Sequence, residues 1–106
     1  MDKDCVFCKI SAKEIPAKIE YEDEYCLSFP DINPRAKTHL LVIPKKHIPT
    51  INDLEDGDEK ITGRMLTVAK KVAAKFNMPS YRLLISVGKE AGQEVFHLHL
   101  HVMSPH

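Results

Sequence analysis

The chain has 106 residues, 43% of them apolar, with 15 basic and 15 acidic side chains in formal balance. That supplies one core for one domain, and the neutral total argues against a partner such as long DNA or RNA, while a single nucleotide needs only local donors. No apolar run approaches the roughly 20 residues of a membrane span, so no membrane partner is expected, and Met1-Asp2-Lys3-Asp4-Cys5 lacks the apolar core of a secretory signal.

Asp4 is placed to cap a short helix through Ile10, with Val6, Phe7 and Ile10 on its apolar side. Pro16 ends that region. Lys18 to Tyr21 alternates as a strand does, Glu22-Asp23-Glu24 forms a polar turn, and Tyr25 to Phe29 returns as the second strand of a hairpin. Pro30 to Lys37 reads as a loop. Thr38 to Ile43 is an apolar third strand, stopped by Pro44. Between Asp53 and Met78 one helical stripe stands out: Ile61, Met65, Val68, Val72 and Phe76, widened by Leu66, Ala69 and Ala73. Acidic residues at its start and lysines near its end suit the helix dipole, and Pro79 stops it. Tyr81 to Val87 is a fourth strand, Gly88 to Gly92 a turn, and Val95 to Met103 a fifth strand. The order α-β-β-β-α-β-β predicts an α+β domain over residues 1–106, with a five-stranded, mostly antiparallel sheet and one short and one long helix.

The last strand carries the chemistry. His97, His99 and His101 alternate with Leu98, Leu100 and Val102. Successive strand residues point to opposite faces, so three imidazoles share one face and three aliphatic side chains the other. A core strand has no use for three inward imidazoles, so this face is a candidate site for proton transfer, nucleophilic attack or metal binding. A neutral imidazole, with an ordinary pKa of about 6.5, is a competent nucleophile at neutral pH when one nitrogen is free and the other is held by an acceptor.

The run His-apolar-His-apolar-His-apolar-apolar at 97–103 resembles the motif of the histidine-triad (HIT) family. Phe29-Pro30-Asp31-Ile32-Asn33-Pro34 resembles that family's nucleoside-binding loop. Thr38 to Ile48 resembles its central strand and following turn, and Gly92 to Phe96 its loop before the triad. The similarity covers nearly the whole chain and is nearest the Hint-like branch of purine nucleoside phosphoramidases. It implies a HIT-like fold and a homodimer whose two sheets join into one. It also implies hydrolysis of nucleoside 5′-phosphoramidates through a covalent nucleotidyl-histidine. On that resemblance the catalytic residues are His99 as nucleophile, with His101 and His97. Val6, Phe7, Ile10, Phe29, Pro30 and Ile32 surround the purine nucleotide's base, and Asp31 takes the ribose. Ser86, Gly92, Glu94, Val95, His99 and His101 hold the phosphate. Two other readings stand beside it: a dinucleoside-polyphosphate hydrolase, and a non-catalytic protein that binds a purine nucleotide or a protein partner.

Three cysteines, two of them close together, fit a reducing compartment and a metal site better than a disulfide framework. The cytoplasm is therefore the expected location, with the nucleus as a second one in a eukaryote. Cys5 and Cys8 form Cys-x-x-Cys, a spacing that lets two thiolates share an ion. Zinc takes four ligands, and His47 and His97 are the candidates for the other two, a set the family resemblance supports. Cys26 reads as a core residue. His39 either borders the site or packs within the sheet.

Overall fold

Five strands pair into one sheet in a computed structural model that describes residues 4–106. In chain order the elements are α1 (Val6–Ser11), β1 (Tyr21–Glu22), β2 (Cys26–Pro30), β3 (His39–Pro44), α2 (Glu59–Lys75), β4 (Arg82–Leu84) and β5 (Leu100–Met103). The strand order is β1-β2-β3-β5-β4, and every pairing is antiparallel, so the expected α+β architecture holds. No helix among the described residues is long and apolar enough to cross a membrane.

Alternation along the central strands divides the core in two. Leu40, Val42, Leu98, Leu100 and Val102 face α2, where Met65, Val68, Ala69, Val72 and Ala73 meet them. Leu41 and Ile43, joined by Leu27 and Phe29 of β2, lie on the other face under Phe7, Cys8 and Ile10 of α1. The odd-numbered histidines of the last strand belong to this second face.

Several boundaries differ from the sequence expectation, each for a local reason. Cys5 rather than Asp4 caps α1, its Sγ accepting the Cys8 amide at 3.4 Å. Pro30, expected in a loop, is the last residue of β2 and lies across from Leu40. The long helix starts only at Glu59, because 3-10 turns at Ile51–Asp53 and Asp56–Asp58 take up the acidic stretch. It ends at Lys75, and beyond the Phe76 cap Asn77 takes a left-handed φ of 57° that turns the chain away before Pro79. Leu66 lies outside the buried stripe, 55% exposed.

The shortening of the last strand matters most. Residues 95–99 lie outside the ladder, and β5 pairs with β3 only from Val42–Leu100 to His39–Met103. Pro44 closes β3 and has no N–H to extend the pairing. Its carbonyl instead accepts from the His97 ring at 2.8 Å, and the Leu98 amide donates to Ile48 at 2.6 Å. The inward and outward alternation nevertheless continues through 97–99.

Asp23 closes the β1–β2 hairpin. One carboxylate oxygen accepts the Tyr25 and Cys26 amides at 2.8 and 2.9 Å, and the other accepts Tyr21 Oη and Arg64 Nε at 3.0 and 2.6 Å. Burial alone would raise this carboxyl, but the four donors together outweigh it and hold it at about 2. Because the folded carboxyl titrates below the unfolded one, the stabilisation is complete above about pH 4 and is lost as the pH falls toward 2. Asp23→Ala is expected to cost about 2 kcal/mol at pH 7 and to flatten the acid limb of stability, measured by denaturant unfolding between pH 7 and pH 3. An unchanged acid limb would remove Asp23 as its source.

Candidate functional site

The three imidazoles gather on the α1 face, together with a fourth that periodicity alone left open. Phe7 stands edge-on to His97 and His99, with ring centroids 5.8 and 5.2 Å away, and to Phe29 at 5.6 Å. His99 and His101 are 5.0 Å apart, and His39 of β3 lies 5.1 Å from His101. All four histidines are buried. Burial is the largest cause in lowering each of them, taking His97 and His101 to about 4, so all four rings are neutral at pH 7.

Neutral rings have tautomers, and the neighbours choose them. His99 Nδ1 lies 2.7 Å from the His97 carbonyl, which can only accept, so the proton sits on Nδ1. His99 Nε2 keeps its lone pair and has no hydrogen-bond partner among the described residues. The Arg35 amide donates to His39 Nδ1 at 3.0 Å, which puts the His39 proton on Nε2. That N–H points at His101 Nδ1, 2.8 Å away, with Asp31 Oδ2 a weaker acceptor at 3.4 Å. His101 therefore accepts at Nδ1 and carries its proton on Nε2. The Arg35 guanidinium lies 3.4 Å from the same His101 Nδ1. The result is one ring with a free lone pair beside one ring with a free N–H.

A separate group of donors lies behind this pair. Cys5 Sγ is 3.2 Å from His97 Nδ1, Cys8 Sγ is 3.3 Å from His47 Nδ1 and 3.5 Å from His97 Nδ1, and the two Nδ1 atoms are 3.2 Å apart. A tetrahedral ion bound by two thiolates and two imidazoles has nitrogen–nitrogen and nitrogen–sulfur edges of about 3.3 and 3.6 Å, so this donor set fits zinc. His97 donates Nε2–H to Pro44, which turns its Nδ1 lone pair toward the cluster. Asp31, His39 and His101 also converge. Their hydrogen bonds leave His39 no lone pair for an ion there, so they form a proton-bearing chain instead.

The remaining expected residues surround this face. Phe7, Ile10 and Phe29 are buried together and Val95 packs on them, while Val6 stands at the rim. Ile32 projects from its loop, 91% exposed, and is not brought against Phe7 and Phe29. Pro30 is exposed at the end of β2. Asp31 reaches the imidazoles through Oδ2 and holds its own loop by accepting the Asn33 amide at 2.8 Å. Ser86 Oγ lies beside Gly92, whose φ of 100° requires glycine. Glu94 is exposed, and the Glu94 and Val95 amides make no hydrogen bond among the described residues. Arg35 was missed as a neighbour of these rings, and no sequence signal pointed to it. His39, left open between bordering the site and packing within the sheet, does both, buried in β3 with its ring on His101.

Residues 4–106 match a family model described as scavenger mRNA decapping enzyme C-term binding. The chain is 42% identical over 105 residues to a purine nucleoside phosphoramidase of Escherichia coli K12, covering 97% of this chain and 88% of that protein. It is 47% identical over 104 residues to a HIT-like protein of Synechocystis, covering 97% and 91%. Among solved structures, a HIT family hydrolase from Clostridium thermocellum superposes with a TM-score of 0.97 at 40% identity, covering 100% of this chain and 94% of that one. One from Legionella pneumophila gives 0.92 at 48%, covering 97% and 94%.

The hydrogen-bond pattern predicts Nδ1–H for His99 and Nε2–H for His39 and His101, checked by long-range proton–nitrogen correlation spectra at pH 7. An Nε2–H signal on His99 would contradict the assignment of its free lone pair.

Proposed function

The chain belongs to the histidine-triad (HIT) family of hydrolases, and on that footing we propose that it hydrolyses purine nucleoside 5′-phosphoramidates through His99. The observation that carries this reading is the His99 ring: buried beside Phe7, neutral, donating Nδ1–H to the His97 carbonyl and unpartnered at Nε2. A neutral nitrogen nucleophile held in one orientation needs no base to activate it.

The base lies against Phe7, Ile10 and Phe29, with Val6 and Ile32 at the rim, and Asp31 takes the ribose hydroxyls. Ser86 and the free amides of Glu94 and Val95, next to Gly92, receive the phosphate oxygens. His99 Nε2 attacks the α-phosphorus, the phosphorus–nitrogen bond breaks, and its electron pair leaves on the amine. The departing nitrogen takes a proton drawn from solvent and passed on at His101 Nε2, so that the amine leaves neutral and His101 stays a neutral ring. A water then attacks the nucleotidyl-histidine from the opened side, and its proton returns to solvent by way of His101. The phosphorus–His99 bond breaks, releasing the nucleoside monophosphate and restoring both rings. The phosphoramidase identity of the 42% relative supports the phosphorus–nitrogen bond as the one cleaved.

Enzyme quenched during turnover of an adenosine phosphoramidate is expected to carry an adenylyl group on the peptide containing His99. His99→Ala is expected to lose at least about 1,000-fold in kcat while AMP affinity changes little. An unmodified His99 in a rapidly turning-over enzyme would remove it as nucleophile. Retained biological effect in His99→Ala would favour the binding-protein reading.

Two further elements belong to this reading. Cys5, Cys8, His47 and His97 hold a zinc ion, which braces α1 and the triad segment against each other. β4 is an exposed edge strand whose Leu83 and Leu84 face solvent, with Leu66 of α2 likewise bare, and an unpaired edge of this kind pairs readily with a second copy. Native mass spectrometry is expected to show a dimer with one zinc per chain. Cys8→Ser should lose the metal, and Leu83→Glu should yield monomers that keep it. A wild-type monomer, or a dimer without metal, would discard the corresponding half.

A further inference from the structure

Gln93 is buried in the loop before the triad, and its amide makes three hydrogen bonds. Oε1 accepts the Gly88 amide at 2.9 Å, and Nε2 donates to the Pro49 carbonyl at 2.8 Å and to the Val95 carbonyl at 3.0 Å. Only this orientation of the amide pairs all three groups. The side chain thus joins the Gly88 turn, the turn after His47, and the chain two residues before His97. Residues 95–99 have no ladder to hold them. Beyond the metal-ligand cluster, their position rests on His97 to Pro44, Leu98 to Ile48, and Gln93 to Pro49 and Val95. All of these holds reach back to the single segment 44–49.

Gln93 also decides where the neighbouring amides point. By drawing the Val95 carbonyl onto itself, it curls the chain around its own side chain. The Glu94 and Val95 N–H groups make no bond among the described residues, although Gln93, between them and the turn, is fully bonded. Free N–H groups held in a fixed curl are ready donors for an anion.

We propose that Gln93 is a positioning residue for the phosphoramidate hydrolysis inferred above, setting the distance between the His99-bearing segment and the two amides that receive the phosphate. The inference rests on that reading, and the test separates the two. Gln93→Met keeps the length of the side chain and loses all three bonds. Gln93→Glu keeps the acceptor for Gly88 and loses both donations. On an adenosine phosphoramidate each variant is expected to lose about 100-fold in kcat with KM within about threefold of the parent, since a misplacement near 1 Å acts on the reacting geometry rather than on base and ribose binding. A lowered melting temperature with parental kcat in the folded protein would make Gln93 merely structural and overturn the proposal.

The second readout needs no turnover. On titration with AMP, the Glu94 and Val95 amide protons should move downfield in the parent and stay in place in both variants, while the Phe7 and Phe29 ring signals move in all three. Equal amide shifts in parent and variants would overturn the role of Gln93 whether or not the protein cleaves phosphoramidates. A parent inert toward phosphoramidates, with amides responding as expected, would remove only the proposed reaction.

Discussion

The hydrogen bond from the His97 ring to the Pro44 carbonyl, 2.8 Å long, is the constraint on which the site depends. It closes β3 where proline cannot continue the ladder, at a carbonyl that would otherwise be buried and unpaired, a loss of about 1–3 kcal/mol. By fixing the proton on Nε2, it turns the Nδ1 lone pair of the same ring toward Cys5, Cys8 and His47. The carbonyl of the same residue fixes the tautomer of His99. One residue, through its ring and its main-chain carbonyl, therefore links the end of the sheet, the Cys5–Cys8–His47 group and the orientation of His99. The first histidine of the motif is tied down at its ring and its carbonyl, and the second is left with a free Nε2 lone pair.

Packing four imidazoles on one buried face, with His99 and His39 each about 5 Å from His101 between ring centres, is tolerable only if they are uncharged, because like charges at that distance repel strongly in a buried setting. Burial supplies the neutrality, and the hydrogen bonds then distribute the protons. Two chains result. One runs from the His97 carbonyl to His99 and leaves a lone pair outward; the other runs from the Arg35 amide through His39 to His101 and leaves an N–H outward. A free lone pair and a free N–H, on rings 5.0 Å apart between centres, are thus prepared by opposite tautomers of the same side chain rather than by different residue types.

The alternation of histidine with leucine was legible in the sequence because strand period survives even where the ladder does not: residues 97–99 keep their faces without sheet pairing. The α2 stripe was legible for the same reason, and Leu66 misled because a wide stripe read from spacing alone does not say which edge the sheet covers. The cysteine spacing and its grouping with His47 and His97 were likewise visible, since each residue type carries its own chemistry. The roles of His39 and Gln93 were not. Each acts through a partner far away in the chain, His101 at 62 residues and Pro49 at 44, and no local pattern encodes such a pairing. Strand ends were misjudged where a side chain, as at His97, replaced a backbone partner.

Placing His99, the proposed nucleophile, just beyond the end of the ladder has a chemical consequence. Inside a sheet every backbone N–H is committed to a neighbour, and the facing strand crowds each side chain from about 5 Å away. At His99 the pairing with β3 has stopped one residue short. The chain is then held to the segment 44–49 by the His97 and Gln93 side chains and the Leu98 amide, which leaves the amides of Glu94 and Val95 uncommitted on the approach to the triad. The same break that removes ladder bonds leaves the donors and the space that the proposed reaction calls for, at the loop for a phosphate and at the ring for a nucleotidyl group. A perfectly paired fifth strand would be the more stable element and the poorer site, because its donors would already be spent on its neighbours.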